Sequence, residues 1–181
     1  MTLPFDPIEE AGRQWEARWG ADPVATMMAV TSIMRVQQIW LGRLNEALAP
    51  FGLTFARYET LMLLLFSRNG ALPLGKIGER LQVHPTSVTN LIDGLEKDGL
   101  VERTPHPSDR RTTLAAITAV GRARAEQATE ELHAIRFGVE LADPDLQGIT
   151  DLLRTVREQA GDFDDASLAG RELPGSATLN K

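Results

Sequence analysis

A chain of 181 residues, 43% hydrophobic and 24% charged, carries the apolar material of one ordinary globular domain, and those proportions exclude a collagen-like or wholly disordered chain. The absence of cysteine removes thiolate nucleophiles, Cys-ligated zinc, iron–sulfur clusters and disulfide staples together. Net charge is −6, but residues 76–111 are neutral, with six basic and six acidic side chains, while residues 140–165 carry eight acids against two Arg and hold the whole excess. Any surface for a polyanion must therefore be local. The most apolar window, residues 61–66, is far shorter than the ~20 residues of a membrane span, and the first ten residues lack the basic start of a leader. The expectation is a cytoplasmic protein with no membrane segment.

The chain opens with a short helix. Asp6 is placed to cap it, Pro7 suits its first turn, Glu9 stands in capping-box position and Gly20 ends it. Ile8, Ala11, Trp15 and Trp19 share one side, a stripe that reads as a docking helix extending a core or a dimer interface more readily than as an aromatic ligand box. Residues 25–49 repeat apolar side chains at three-and-four spacing (Val30, Ile33, Met34, Leu41, Leu44, Leu48), widened by Val36 and Trp40, so burial on two sides is expected. Pro50, Gly52 and Thr54 break and restart the chain, and Tyr58, Leu61, Met62, Leu65 and Phe66 predict a central core helix ending near Asn69 and Gly70.

Leu74, Ile77 and Leu81 give two helical turns, residues 82–84 a tight turn, and residues 85–98 a helix with Val88, Leu91, Ile92 and Leu95 on one face and Gly99 at its left-handed stop. Residues 100–104 and 112–117 predict two strands joined by a loop, residues 105–111, that ends on Arg110 and Arg111. Thr118 caps another helix reaching about Phe137, and Asp143-Pro144 opens one with Leu146, Ile149, Leu152, Leu153 and Val156 in step. Residues 161–181 are small, polar and acidic, the composition of a disordered tail.

Helix, tight turn, helix and two-stranded hairpin in that order make a helix-turn-helix with a wing. Burial of Val88, Leu91, Ile92 and Leu95 leaves Thr86, Ser87, Thr89, Asn90 and Asp93 on the free face of the second helix. Short hydroxyl and amide side chains at a helix N-terminus suit phosphates and base edges, and the positive end of the helix dipole favours a phosphate there. Arg110 and Arg111 are placed to reach a phosphate or a neighbouring minor groove, with Asp109 either fixing one of them or simply forming the turn. Residues 70–77 nearly spell a phosphate-binding loop, but Ile77 stands where Ser or Thr would hold magnesium and a helix precedes it rather than a strand. His84, His106 and His133 are too scattered for a metal site, and no Ser/His/Asp or His/Glu grouping supports catalysis, so neither cofactor nor enzyme activity is expected.

The stretch from Leu81 to Arg103 (LQVHPTSVTNLIDGLEKDGLVER), followed by Asp109-Arg110-Arg111 and residues 114–121, resembles the MarR (multiple antibiotic resistance regulator) transcription factors. The resemblance covers the winged helix most strongly from Leu74 to Ile117 and, by order and length, the flanking helices from Ala25 to Val156; the domain it implies spans residues 22–160, with the winged helix at about 54–117 and dimerisation helices at about 22–49 and 118–160. Residues 1–21 are an N-terminal extension outside it. It implies a mainly α fold with a small β-hairpin, flanked by dimerisation helices, and a homodimeric repressor of a pseudo-palindromic operator. Helix 85–98 would then enter the major groove and residues 109–111 the minor groove, with Thr86, Ser87, Thr89, Asn90, Asp109, Arg110 and Arg111 as the double-stranded DNA contacts. Asn90 and Gly94 stand where many members carry Arg, and Gly78 where Ala is usual. Family pockets lie between the dimerisation and DNA-binding regions, close to Trp40, Arg57 and Tyr58, where an arginine among aromatics could hold a small aromatic or anionic effector. Core packing for Trp40 and Tyr58, and an ion pair of Arg57 with Glu59 or another acid, are the competing readings. A winged helix serving as a protein-interaction or scaffolding module is the alternative to DNA binding.

Overall fold

The computed structural model describes residues 3–109 and 111–163, which fall in two compact units, the chain dividing between Val139 and Glu140. The first begins with α1 (Pro7–Trp19), capped by Asp6 Oδ1, which accepts from Ile8 N at 2.8 Å, and stopped by Gly20 at φ +89. α1 docks on α2 (Val24–Leu48) of the same chain so closely that a Cβ on Gly12 would stand 2.8 Å from Met28 Sδ. The Trp15 and Trp19 ring centroids are 4.6 Å apart, yet Trp19 stays 63% exposed.

Along α2 only Leu44 and Leu48 are buried, whereas Val30, Ile33, Met34, Val36, Ile39 and Leu41 are exposed. The burial on two sides expected from its wide stripe is thus not met by the chain's own elements over the first two thirds of the helix. A 3-10 turn (Ala49–Phe51) and Gly52 at φ +68 redirect the backbone, and Thr54 caps α3 (Phe55–Leu65). α3 is the core helix, burying Tyr58, Thr60, Leu61 and Leu64, with the Thr60 hydroxyl returned to Ala56 O at 2.8 Å. It ends sooner than its apolar run predicts. Phe66 is 79% exposed, because the chain must turn here to enter the sheet.

The sheet has one strand more than the expected hairpin. β1 (Ala71–Pro73), β2 (Val101–Pro105) and β3 (Thr113–Ile117) are antiparallel in the order β1-β3-β2, with Leu72 and Arg103 both opposite Ala115. Pro73 is admissible because β1 is an edge. Between β1 and β2 lie α4 (Leu74–Leu81), closed by Gln82 at φ +53, and α5 (Pro85–Lys97), which buries Val88, Ile92 and Leu95 and leaves Leu91 half-buried. A Cβ on Gly78 would lie 3.2 Å from Val88 and 3.3 Å from Val83 O, so α4 and α5 approach a little more closely than Ala would comfortably allow.

α6 (Ala119–Ala134) is capped by Thr118, which accepts from Gly121 N at 2.9 Å and donates to Gly99 O at 2.8 Å. Gly121 is required there: a Cβ would sit 2.0 Å from Leu100 O. α6 does not reach Phe137. Arg136, Phe137 and Gly138 turn left-handed in succession (φ +50, +53 and +72), and Arg43 of α2 donates to Gly138 O at 2.6 Å. The second unit contains α7 (Asp143–Gln159), with Pro144, Asp143 and Asp145 in its first turn, where the helix dipole favours acids. Leu152 and Val156 of α7 are exposed. The tail expected from Gly161 is described as far as Phe163, whose ring lies under the guanidiniums of Arg154 and Arg157, 4.7 and 5.4 Å from the centroid. No helix among the described residues is long and apolar enough to cross a membrane.

Candidate nucleic-acid interface

The N-terminal end of α5 is built by the turn before it. His84 occupies the cap, its Nδ1 accepting from Thr86 N at 3.3 Å, and Pro85 takes the first helical position, where a missing N–H costs nothing. In the neutral ring this places the proton on Nε2. Thr86, Ser87, Thr89 and Asn90 follow, all exposed, on a helix whose other side is sealed by Val88, Ile92 and Leu95. Thr89 Oγ1 donates to Pro85 O at 3.2 Å and keeps its lone pairs for a donor from outside. The first N–H groups of the helix are taken up by His84, whose Nδ1 accepts from Thr86 N and whose carbonyl accepts from Ser87 N at 2.9 Å and Val88 N at 3.2 Å, so the end presents the positive pole of the dipole and four short polar side chains in one place.

The wing tip is closed by Asp109. Its Oδ1 accepts from Arg111 N at 3.0 Å, its Oδ2 from the Thr112 hydroxyl at 2.7 Å, and its carbonyl from Thr112 N at 3.0 Å. Those bonds, with the Thr112 hydroxyl first and the Arg111 N–H second, hold its carboxyl below the usual aspartate range. Asp109 thus fixes the backbone that carries Arg111, through the turn-forming role, instead of gripping the Arg111 guanidinium. Arg111 is exposed; Arg110 lies outside the described residues.

Asp93, expected on the free face of α5, is committed elsewhere. Arg103 of β2 reaches across to pair with Asp93 at 2.5 Å and with Glu96, and its backbone N–H donates to Glu96 Oε1 at 3.0 Å. Burial opposes the Arg103 charge, but these hydrogen bonds outweigh it and hold its pKa above the ordinary value. One guanidinium thereby offsets half of the charge of two carboxylates that would repel phosphate. Reading the sequence missed both this pairing and the His84 cap; the signal for the first is an arginine in the strand that follows an Asp-x-x-Glu helix.

Each of the three effector candidates has its own surroundings in the fold. Tyr58 is 5% exposed, with its hydroxyl 2.9 Å from Thr129 Oγ1, and Trp40 is half-buried on α2. Arg57 pairs not with Glu59 but with Asp98, at 2.5 Å, and donates to Gly52 O at 3.0 Å. A groove of about 430 Å³ lies elsewhere, between α4 and α5, lined by Leu74, Gly78, Val83, Pro85 and Val88 among others.

The family model described as "MarR family" matches residues 53–113, the stretch from the corner before α3 through the wing tip. A crystal structure of Sco5413, a MarR family transcriptional regulator from Streptomyces coelicolor, is 52% identical, covering 78% of this chain and 99% of that one with a TM-score of 0.73. The chain belongs to the MarR family of transcriptional regulators. CouR from Rhodococcus jostii RHA1, solved bound to p-coumaroyl-CoA, is 31% identical over 68% of this chain and 87% of its own, with a TM-score of 0.59. Among curated relatives, the HTH-type transcriptional repressor YetL of Bacillus subtilis is 36% identical over 76 residues, so the chain spans about half of its length, 46%. The MarR model covers neither α1 nor the exposed half of α2.

Proposed function

We propose that this MarR-family chain is a sequence-specific double-stranded DNA-binding regulator, a ligand-responsive repressor that acts as a cytoplasmic homodimer and catalyses nothing. In this reading residues 22–160 are the functional domain, α5 enters the major groove, and the wing reaches the adjacent minor groove. Thr86, Ser87, Thr89 and Asn90 read base edges and phosphates, Arg110 and Arg111 contact the backbone and minor groove, and Asp109 shapes the wing tip. The observation that carries it is the pairing of an exposed polar helix N-terminus with a fully buried opposite face, on a helix whose acids are held by Arg103.

The dimer places two copies of α5 about one turn of DNA apart, so the operator is an inverted repeat with half-sites ~10 base pairs centre to centre. The exposed apolar residues of α2 and α7 supply the surface for the second copy. A small aromatic or anionic effector binding near Trp40, Arg57 and Tyr58 relieves repression; CouR, solved with p-coumaroyl-CoA, supports a ligand-responsive reading. Such a ligand has to compete with Asp98 for the Arg57 guanidinium.

The test is a fluorescence-anisotropy titration of the protein and its Arg110→Ala/Arg111→Ala variant against duplex DNA from upstream of its own gene, at two salt concentrations. Steeply salt-dependent binding, weakened by ~2 kcal/mol or more in the variant, is expected from charge-assisted phosphate contacts. No binding to that duplex or to arbitrary DNA at low salt would leave the protein-interaction module as the function.

A further inference from the structure

α5 is gripped from both flanks. Successive residues of an α-helix are turned by about 100°, so Asp93 and Glu96, three apart, share one flank, while Gly94 and Asp98, four apart, share the other, with Val88, Ile92 and Leu95 buried between. On the first flank Arg103 of β2 binds Asp93 and Glu96 together. On the second, Arg57 of α3 binds Asp98 at 2.5 Å and lies so close over the helix that a Cβ on Gly94 would stand 3.3 Å from its Nη2 and 3.6 Å from its Cζ. The same guanidinium donates to Gly52 O, in the corner that joins α2 to α3. Arg57 Nε is buried without an acceptor among the described residues, a cost that persists only where the rest of the group is firmly held.

We infer that Arg57 and Arg103 form a two-sided guanidinium clamp that sets the roll of the recognition helix α5, making Arg57 a positioning residue for sequence readout although it touches no DNA. Apolar packing alone tolerates a helix rolling by a few degrees, since it has no direction; ion pairs at opposite flanks do not. Roll decides which edges Thr86, Ser87, Thr89 and Asn90 meet, and matters far less to phosphate attraction, which has little directional demand. The clamp therefore governs specificity more than affinity for DNA in general. On the α3 side it ties that roll to the α2–α3 corner through Gly52. The inference rests on the DNA-reading role proposed above.

The test compares the tightest duplex selected by the wild-type protein from a random pool with a scrambled duplex. Arg57→Gln is expected to weaken binding to the selected duplex about tenfold, the scale of one charge-assisted bond, while scrambled-duplex affinity stays within about twofold and the salt slope is unchanged. Asp98→Asn, nearly isosteric, shifts the ratio the same way and remains informative should Arg57→Gln fail to fold. The double variant is no worse than Arg57→Gln alone, because the pair acts as one unit. Equal losses on both duplexes, or an unchanged ratio in both single variants, overturn the clamp. Amide exchange in the free protein separates this from failure of the DNA reading itself. If the wild type binds no duplex, that reading falls; faster exchange confined to α5 in Asp98→Asn still supports the clamp, and unaltered exchange there overturns it.

Discussion

The winged helix and the long helix α2 bury their apolar residues in opposite ways. Leu61, Leu64, Ile77, Ile92 and Leu95 are fully buried by neighbours within the chain, and the sheet and α6 close around them. Over most of α2 the large apolar side chains remain in contact with solvent, although more than half of its residues are apolar. The first region is complete as a single chain; the second is complete only when something else covers it. Apolar periodicity reports that a face is to be buried and is silent on which molecule buries it.

Substitutions separate the two regions, and the largest effect is expected at Gly121. Gly121→Ala drives a methyl into Leu100 O and should remove several kcal/mol of stability, about the 3–5 kcal/mol of the most disruptive core changes, read as a fall in the denaturant midpoint. Ile92→Ala, a cavity in the sealed face of α5, is expected to cost about 2–4 kcal/mol by the same measurement. Met34→Asp on the exposed stretch of α2 marks the contrast. In dilute protein it should change intrinsic stability by no more than about 0.5 kcal/mol, yet abolish the concentration dependence of Tm that a dimer confers. A loss at Met34 as large as that at Ile92 in dilute protein would erase the distinction between the regions.

Two titrating groups give the smallest effects. Glu59 is exposed, but partial desolvation by its neighbours holds its carboxyl above the ordinary value, so the folded state favours its neutral form and this group's contribution worsens as pH rises through the carboxylate range. Glu59→Gln should raise Tm slightly at pH 7 and flatten its pH slope. Asp109 has the opposite sign: its lowered pKa means its turn is stabilised above the ordinary carboxylate range and released as pH falls through the lowered value. Protection of the Arg111 amide against exchange should be lost on acidification with little change in global stability.

What the sequence made legible follows how local each signal is. α5 was readable from Pro85, four apolar residues in helical step and Gly99, all within fifteen positions, and the wing from two short β-prone runs around a Pro- and Asp-rich loop. β1 was not, because three residues ending in proline form a strand only through pairing with β3, more than forty positions away. The end of α3 was overrun for a similar reason: Phe66 fits the apolar period, and the turn into β1 overrides it. The left-handed run 136–138 has only Gly138 to announce it and depends on Arg43 from α2. At the interface, the exposed positions Thr86, Ser87, Thr89 and Asn90 followed from helix geometry alone, while the Arg57–Asp98 and Arg103–Asp93 pairs join elements whose proximity only the fold creates. Asp109 shows the limit within one loop, where charge alone did not reveal that its carboxylate accepts from the Arg111 N–H and the Thr112 hydroxyl.

The central claim is that a self-sufficient winged helix reads DNA only as a pair, held together through the apolar surface that the single chain leaves open. Sedimentation equilibrium of the protein on a duplex carrying one selected inverted repeat tests it most directly. Two chains per duplex are expected for the wild type, and for Met34→Asp a large loss of occupancy without loss of fold. One chain per duplex at saturation, or undiminished two-chain binding by Met34→Asp, would contradict it.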